Sequence, residues 1–121
     1  MEGKKIMICD DDDSILEVLQ MMLEFDGYTV FLENNSTNLI KQINNVNPDL
    51  LLMDLWMPVL SGDQLLKTIR TTSELKNLPV IIFSASVDGK EIASSAGADT
   101  FIAKPFDMDD ISSKIEGLLV G

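Results

Sequence analysis

At 121 residues, with 45% apolar and 24% charged side chains, the chain has the size and composition of one globular domain, spanning 1–121, with a single substantial core. Twenty acids against nine bases give a formal net charge of −11, which repels phosphate-rich partners and excludes direct binding to nucleic acid or to an anionic membrane. No apolar run approaches a membrane span, no signal-peptide pattern opens the chain, and a lone cysteine, Cys9, excludes an internal disulfide, so a cytoplasmic protein is expected. Lys4 to Cys9 holds the run Ile6-Met7-Ile8-Cys9 and predicts a buried first strand, with Cys9 a small core residue. It opens onto Asp10-Asp11-Asp12-Asp13. A helix follows, with Ile15, Leu16, Leu19, Met22 and Leu23 on one face, Ser14 and Glu17 spaced as a capping box, and Gly27 just beyond its end.

Tyr28 to Leu32 predicts a second strand, and Leu39, Ile40, Ile43 and Val46 mark a second helix that must stop before Pro48. Leu50-Leu51-Leu52-Met53 is unbroken apolar sequence, as suits a central strand covered on both faces, and it ends at a carboxylate, Asp54. Pro58 forbids further pairing, and Gly62 opens a helix carrying Leu65, Leu66 and Ile69. Thr71 to Leu78 reads as a polar linker. Pro79 to Phe83 is a fourth strand that gives way to Ser84-Ala85-Ser86. The helix from Asp88 to Ala96 has only Ile92 and alanines to bury and should be weakly anchored. Thr100 to Ala103 is a short fifth strand ending at Lys104-Pro105, and a last helix from Asp107 carries Ile111, Ile115, Leu118 and Leu119. Five strands alternating with five helices imply an α/β domain, a parallel sheet with helices on both faces and right-handed crossovers.

Polar residues stand where the apolar strands stop: Asp10 and Asp11, Asp54, Ser84 and Lys104. In a parallel sheet these ends share one rim, where ligands of such sheets gather. Taken alone, Asp54 reads as a turn cap; its company at the rim points instead to chemistry. Clustered carboxylates repel one another and call for a cation, and an oxygen-only donor set favours Mg²⁺. Lys104 adds a positive charge and Ser84 a hydroxyl donor. Asp12 and Asp13 read as charges suited to the start of a helix rather than as further ligands.

The opening strand with its acidic pair, the segment Asp54-Leu55-Trp56-Met57-Pro58, and Lys104-Pro105-Phe106 together resemble, in this order and over nearly the whole chain, the receiver domain of two-component response regulators. The resemblance implies a doubly wound, flavodoxin-like five-stranded sheet of order 2-1-3-4-5. It implies that Asp54 accepts a phosphoryl group from a phosphohistidine on a histidine kinase or histidine phosphotransfer protein. Asp10, Asp11, Asp54 and the backbone carbonyl of Trp56 would hold Mg²⁺, with Lys104 and Ser84 completing the site. Ser84 and Phe101 would form the switch that passes the signal to a downstream effector, Phe101 standing where the family often has a switching tyrosine or phenylalanine and here lacking a hydroxyl. Ser84 stands where threonine is commoner, keeping the donor and losing a methyl group. Trp56 is large for its place and would hinder the water that hydrolyses the phosphate. The family is a signalling domain rather than an enzyme in the usual sense, although it promotes its own phosphorylation and dephosphorylation. The resemblance also admits a phosphorylation-dependent dimer through the last two helices.

Two other readings compete. Asp10-x-Asp12-x-Ser14 after the first strand superficially fits haloacid-dehalogenase-type phosphatases, in which Asp10 would be the nucleophile and Asp12 the general acid; Asp54 would then have no role. A flavodoxin-like binding module shares the alternation, but four aspartates replace the phosphate-binding loop such a module needs.

Overall fold

The computed structural model describes residues 3–120, so Met1, Glu2 and Gly121 of the expected 1–121 span lie outside the described residues. The elements run β1 (Lys5–Cys9), α1 (Asp13–Phe25), β2 (Thr29–Glu33), a 3-10 turn (Ser36–Asn38), α2 (Leu39–Val46), β3 (Leu50–Asp54), α3 (Gly62–Thr71), β4 (Val80–Ser84), α4 (Gly89–Ala96), β5 (Thr100–Ala103) and α5 (Met108–Val120). The five strands form one parallel sheet in the order β2-β1-β3-β4-β5, as the resemblance implied.

Alternation along each strand divides the core into two layers. Ile6, Ile8, Leu50, Leu52, Ile81, Phe83 and Ile102 face α1 and α5, meeting Leu16, Leu19, Leu23, Ile111 and Ile115. Met7, Cys9, Leu51, Met53, Val80 and Ile82 face the other way, onto Leu39 and Ile43 of α2, Leu65, Leu66 and Ile69 of α3, and Ala93 and Ala96 of α4. All five residues of β3 and of β4 are buried, which is why their sequences read as continuous apolar runs without alternation.

Helix α1 departs from expectation at its start. The cap is Asp12, whose carboxylate accepts from the Ser14 amide at 2.9 Å, rather than the Ser14 and Glu17 box. The reason is local: the chain leaves β1 only three residues before Asp13 is helical, so the acid already at the turn meets the free amides first. Helix α4 buries only small residues, Gly89, Ala93 and Ala96; the alanines are as expected, while Ile92, expected to be buried with them, is only partly covered against the core. Its far end, however, is tied down by Arg70 of α3, whose guanidinium donates to the carbonyls of Gly97 (2.9 Å), Lys76 (3.1 Å) and Leu78 (2.6 Å) and to Asp99 Oδ2 (2.8 Å). Asp99 in turn accepts from the Val80 amide at 2.8 Å, so the clamp reaches the first residue of β4. The linker after α3 is not wholly polar in effect, since Leu75 is buried.

Candidate functional site

The sheet register brings the polar strand ends together. Cys9 pairs with Met53, Asp54 with Phe83 and Ser84 with Ala103, and the Lys104 amide donates to the Ser84 carbonyl at 2.9 Å, carrying the pairing one residue past β5. Asp10, one residue beyond β1, therefore lies beside Asp54 at the end of β3, at the switch point between β1 and β3 where the winding of the sheet reverses. One carboxylate oxygen from each of Asp10, Asp11 and Asp54 falls within 4.8 Å of the others. Lys104 Nζ sits 3.2 Å from Asp54 Oδ1 and 3.5 Å from Asp10 Oδ2. The lysine is steadied by the Phe83 ring, 4.8 Å from its ammonium, and Phe83 is braced edge-on by Phe106 at 5.9 Å between centroids.

The charges are under strain. The Asp10 side chain is 1% exposed, and burial pushes its carboxyl up to about 6; the Asp12 amide, donating to Oδ1 at 3.0 Å, and Lys104 pull the other way, while Asp54 and Asp11 add to the rise. Asp54 is raised as well, again chiefly by burial, with Lys104 opposing and Asp11 adding to it. Among the described residues Lys104 is the one cation in ion-pair reach of the cluster, and it leaves an excess of negative charge. Three convergent carboxylates, two of them buried, with only oxygen donors, suit a hard divalent cation. Cys9 lies under the site with Sγ 3.6 Å from Met57 Sδ, and burial, followed by Glu33, lifts its thiol to about 12, so it stays a protonated core residue.

Ser84 is buried at the rim, and its oxygen accepts from the Ser86 amide at 3.0 Å, which leaves the hydroxyl proton to be donated. Phe101 is half-buried against the α2–α4 layer. Its ring and Ser84 meet at Gly89, inconspicuous as a helix-opening glycine: a Cβ on this first residue of α4 would come within 3.1 Å of both Phe101 Cε1 and Ser84 Cβ. Trp56 lies in the loop immediately after β3 with its side chain half exposed. Asp12 and Asp13 stay out of the cluster: Asp12 caps α1, and Asp13 accepts from the Asn34 side chain at 3.1 Å. A fifth strand end also carries an acid, the buried Glu33 of β2, but its Oε2 accepts from the Asn35 amide at 2.9 Å and it stands apart from the three aspartates.

The family model described as response regulator receiver domain matches residues 6–116. The chain belongs to that family. The receiver domain is 32% identical over 117 residues to the response regulator MprA of Mycobacterium ulcerans, covering 95% of this chain and 50% of that protein, so it spans about half the length of the curated relatives it matches. Its fold superposes on a putative response regulator from Chloroflexus aurantiacus with a TM-score of 0.94 at 28% identity, covering 99% of this chain and 100% of the other. The receiver domain of the sensor histidine kinase PA1611 from Pseudomonas aeruginosa, a structure with a magnesium ion coordinated in its active site cleft, gives a TM-score of 0.89 at 25% identity, covering 98% and 99% of the two chains. As a receiver domain of response regulators the chain is a signalling domain, and its acidic cluster is consistent with a phosphorylation-dependent two-component switch. The phosphatase and flavodoxin-module readings fall with this assignment: Asp12 is turned away to cap α1, and the first loop presents carboxylates where an anionic cofactor would lie. Among the described residues no helix is long and apolar enough to cross a membrane.

Proposed function

We propose that residues 1–121 form a single receiver domain in which Asp54 accepts a phosphoryl group from a phosphohistidine on a histidine kinase or histidine phosphotransfer protein. The observation that carries this reading is the position of Asp54 at the end of a fully buried strand, with Oδ1 3.2 Å from Lys104 Nζ and its carboxylate facing Asp10 and Asp11. In the transfer a carboxylate oxygen of Asp54 bonds to phosphorus as the phosphorus–nitrogen bond of the donor breaks. Such a step is mostly positioning and charge stabilisation. Lys104, held between two aspartates and over Phe83, offsets the charge on one phosphoryl oxygen, and Ser84 donates its hydroxyl proton to another.

Asp10, Asp11, Asp54 and the Trp56 carbonyl would hold Mg²⁺, which would supply charge neutralisation for the transfer. Reaching a phosphoryl oxygen, the Ser84 hydroxyl draws its loop inward. Gly89 then couples that shift to α4 and to Phe101, which has no hydroxyl and responds through packing alone. The altered face around Ser84, α4 and Phe101 is what a downstream effector, or a second phosphorylated copy, would read. The same site promotes hydrolysis of the aspartyl phosphate, and the domain works in the cytoplasm. The test is exposure to a small phosphodonor with Mg²⁺, followed by mass analysis of the peptide carrying Asp54. Labelling should be lost in Asp54→Asn and strongly slowed in Lys104→Met, and intact labelling of Asp54→Asn would overturn the assignment.

A further inference from the structure

The loop that leads from β3 to α3 is pinned at both ends and once in its middle. The Gly62 amide donates to the Leu55 carbonyl at 2.7 Å, in a fit so close that a Cβ on Gly62 would stand 2.5 Å from the Asp54 carbonyl oxygen. The middle is held from a distant part of the chain. Ser36, buried in the 3-10 turn before α2, donates its hydroxyl proton to the Pro58 carbonyl at 2.8 Å, and its oxygen accepts from the Leu60 amide at 3.3 Å.

Those two contacts straddle Val59, which has a φ of 71°. The Leu60 amide also donates to the Pro58 carbonyl at 2.8 Å, so Val59 is the centre of a left-handed γ-turn. A β-branched residue is poorly suited to that region, because its Cβ crowds the neighbouring carbonyl. Nor does burial of the side chain hold it there, since Val59 is 82% exposed. A strained conformation persists only where surrounding groups over-determine it. Ser36 is equipped to do so. Asn35 caps its turn by accepting from the Thr37 amide at 3.0 Å, the Asn35 amide is bound to Glu33 Oε2 at 2.9 Å, and the Glu33 carbonyl accepts from the Asp10 amide at 3.2 Å. The hydroxyl is thus fixed to the same framework that fixes Asp10. On the other side Met57, seated against Cys9, joins the turn to Trp56.

We propose that Ser36 is a positioning residue of the acidic site: its hydroxyl holds the left-handed turn at Val59 and so keeps the Trp56 carbonyl in place beside Asp10, Asp11 and Asp54. This rests on the reading of that cluster as a Mg²⁺ site. Without the hydroxyl, Val59 relaxes toward negative φ and the segment from Trp56 to Pro58 moves with it. In Ser36→Ala the Leu60 amide and the Pro58 carbonyl stay in a loop open to solvent, where water takes up the lost partner, so no buried group is orphaned and the fold is retained.

Trp56 is the only tryptophan in the chain, two residues after Asp54 in the same loop, and half exposed, so its fluorescence serves to follow a Mg²⁺ titration. Ser36→Ala should raise the Mg²⁺ dissociation constant about tenfold, the size of effect seen when a group supporting a metal ligand is removed, with a small change in the Tm of the metal-free protein. Adding Val59→Gly removes the strain the clasp restrains and should bring most of the affinity back. Ser36→Ala with the parent's affinity overturns the proposal, and so does a weakened affinity that Val59→Gly does not restore. A parent protein with no saturable response to Mg²⁺ sinks the metal reading and the clasp together, a failure visible before any substitution is made. Val59→Gly alone should raise the Tm and leave Mg²⁺ affinity unchanged; a lower Tm would also overturn the proposal.

Discussion

Replacing Asp10 by asparagine isolates the electrostatic strain of the site. The folded protein holds the Asp10 proton up to about pH 6, against an ordinary value of 3.8. A raised folded-state value means that, between these two, the folded protein binds a proton the unfolded chain has released. Stability therefore falls as pH rises through this window and stays low above it. About two pH units at about 1.4 kcal/mol each give about 3 kcal/mol for the metal-free protein, with Asp54, also raised, acting in the same direction. Asparagine keeps an oxygen for the Asp12 amide and carries no charge. Urea unfolding in the presence of a chelator, from about pH 4 to about pH 7, should show Asp10→Asn gaining about 3 kcal/mol relative to the parent across that range. Mg²⁺ at about a hundred times its dissociation constant should return about 2.7 kcal/mol to the parent and little to the variant. A stability difference that does not change with pH would refute the claim that Asp10 is a carboxylate held against its own charge.

Arg70→Ala removes four hydrogen bonds that tie the end of α4 and Asp99 to the linker between α3 and β4, and should cost about 2–3 kcal/mol in urea unfolding; amides of Gly97 and Ala98 should exchange faster, and unchanged exchange there would mean that α4 is held some other way. Gly89→Ala drives a methyl group against Phe101 and Ser84, at a cost of about 1–3 kcal/mol partly offset by better helix propensity. The penalty should shrink by about 0.5 kcal/mol or more in a Phe101→Ala background, and strictly additive effects would argue against the contact. Trp56→Asn should shorten the lifetime of the aspartyl phosphate several-fold by admitting water, as followed by decay of the phosphorylated form; an unchanged lifetime would show that the indole does not shield the site.

Much of the fold was legible because β3 and β4 are buried on both faces and so announce themselves as unbroken apolar runs, each ending at a polar residue. The alternation of strand and helix then fixes where those ends lie, which is why Asp10, Asp54, Ser84 and Lys104 could be named together before any geometry. The unreadable parts depend on contacts between residues distant in sequence. Gly89 looks like an ordinary helix-opening glycine until Phe101 arrives from β5 to press on it. Ser36 sits in a polar stretch, Asn34-Asn35-Ser36-Thr37-Asn38, where nothing distinguishes the one hydroxyl that reaches the β3–α3 loop. Arg70 resembles any basic residue near a helix end, and only the fold shows three carbonyls converging on it. The cap of α1 was misplaced by two residues because four successive aspartates offer several equivalent starts, and the exit angle of β1 chooses among them.

Lys104 lies 94 positions from Asp10, yet the two share one ion pair, and the strands between them must all be in register for it to form. No fragment of the polypeptide owns the acidic pocket; it exists only while β1, β3, β4 and β5 are held in one register. A chain whose last strand is unmade or out of register therefore lacks Lys104 beside Asp10 and Asp54, and the geometry of the pocket is itself a readout of a complete sheet.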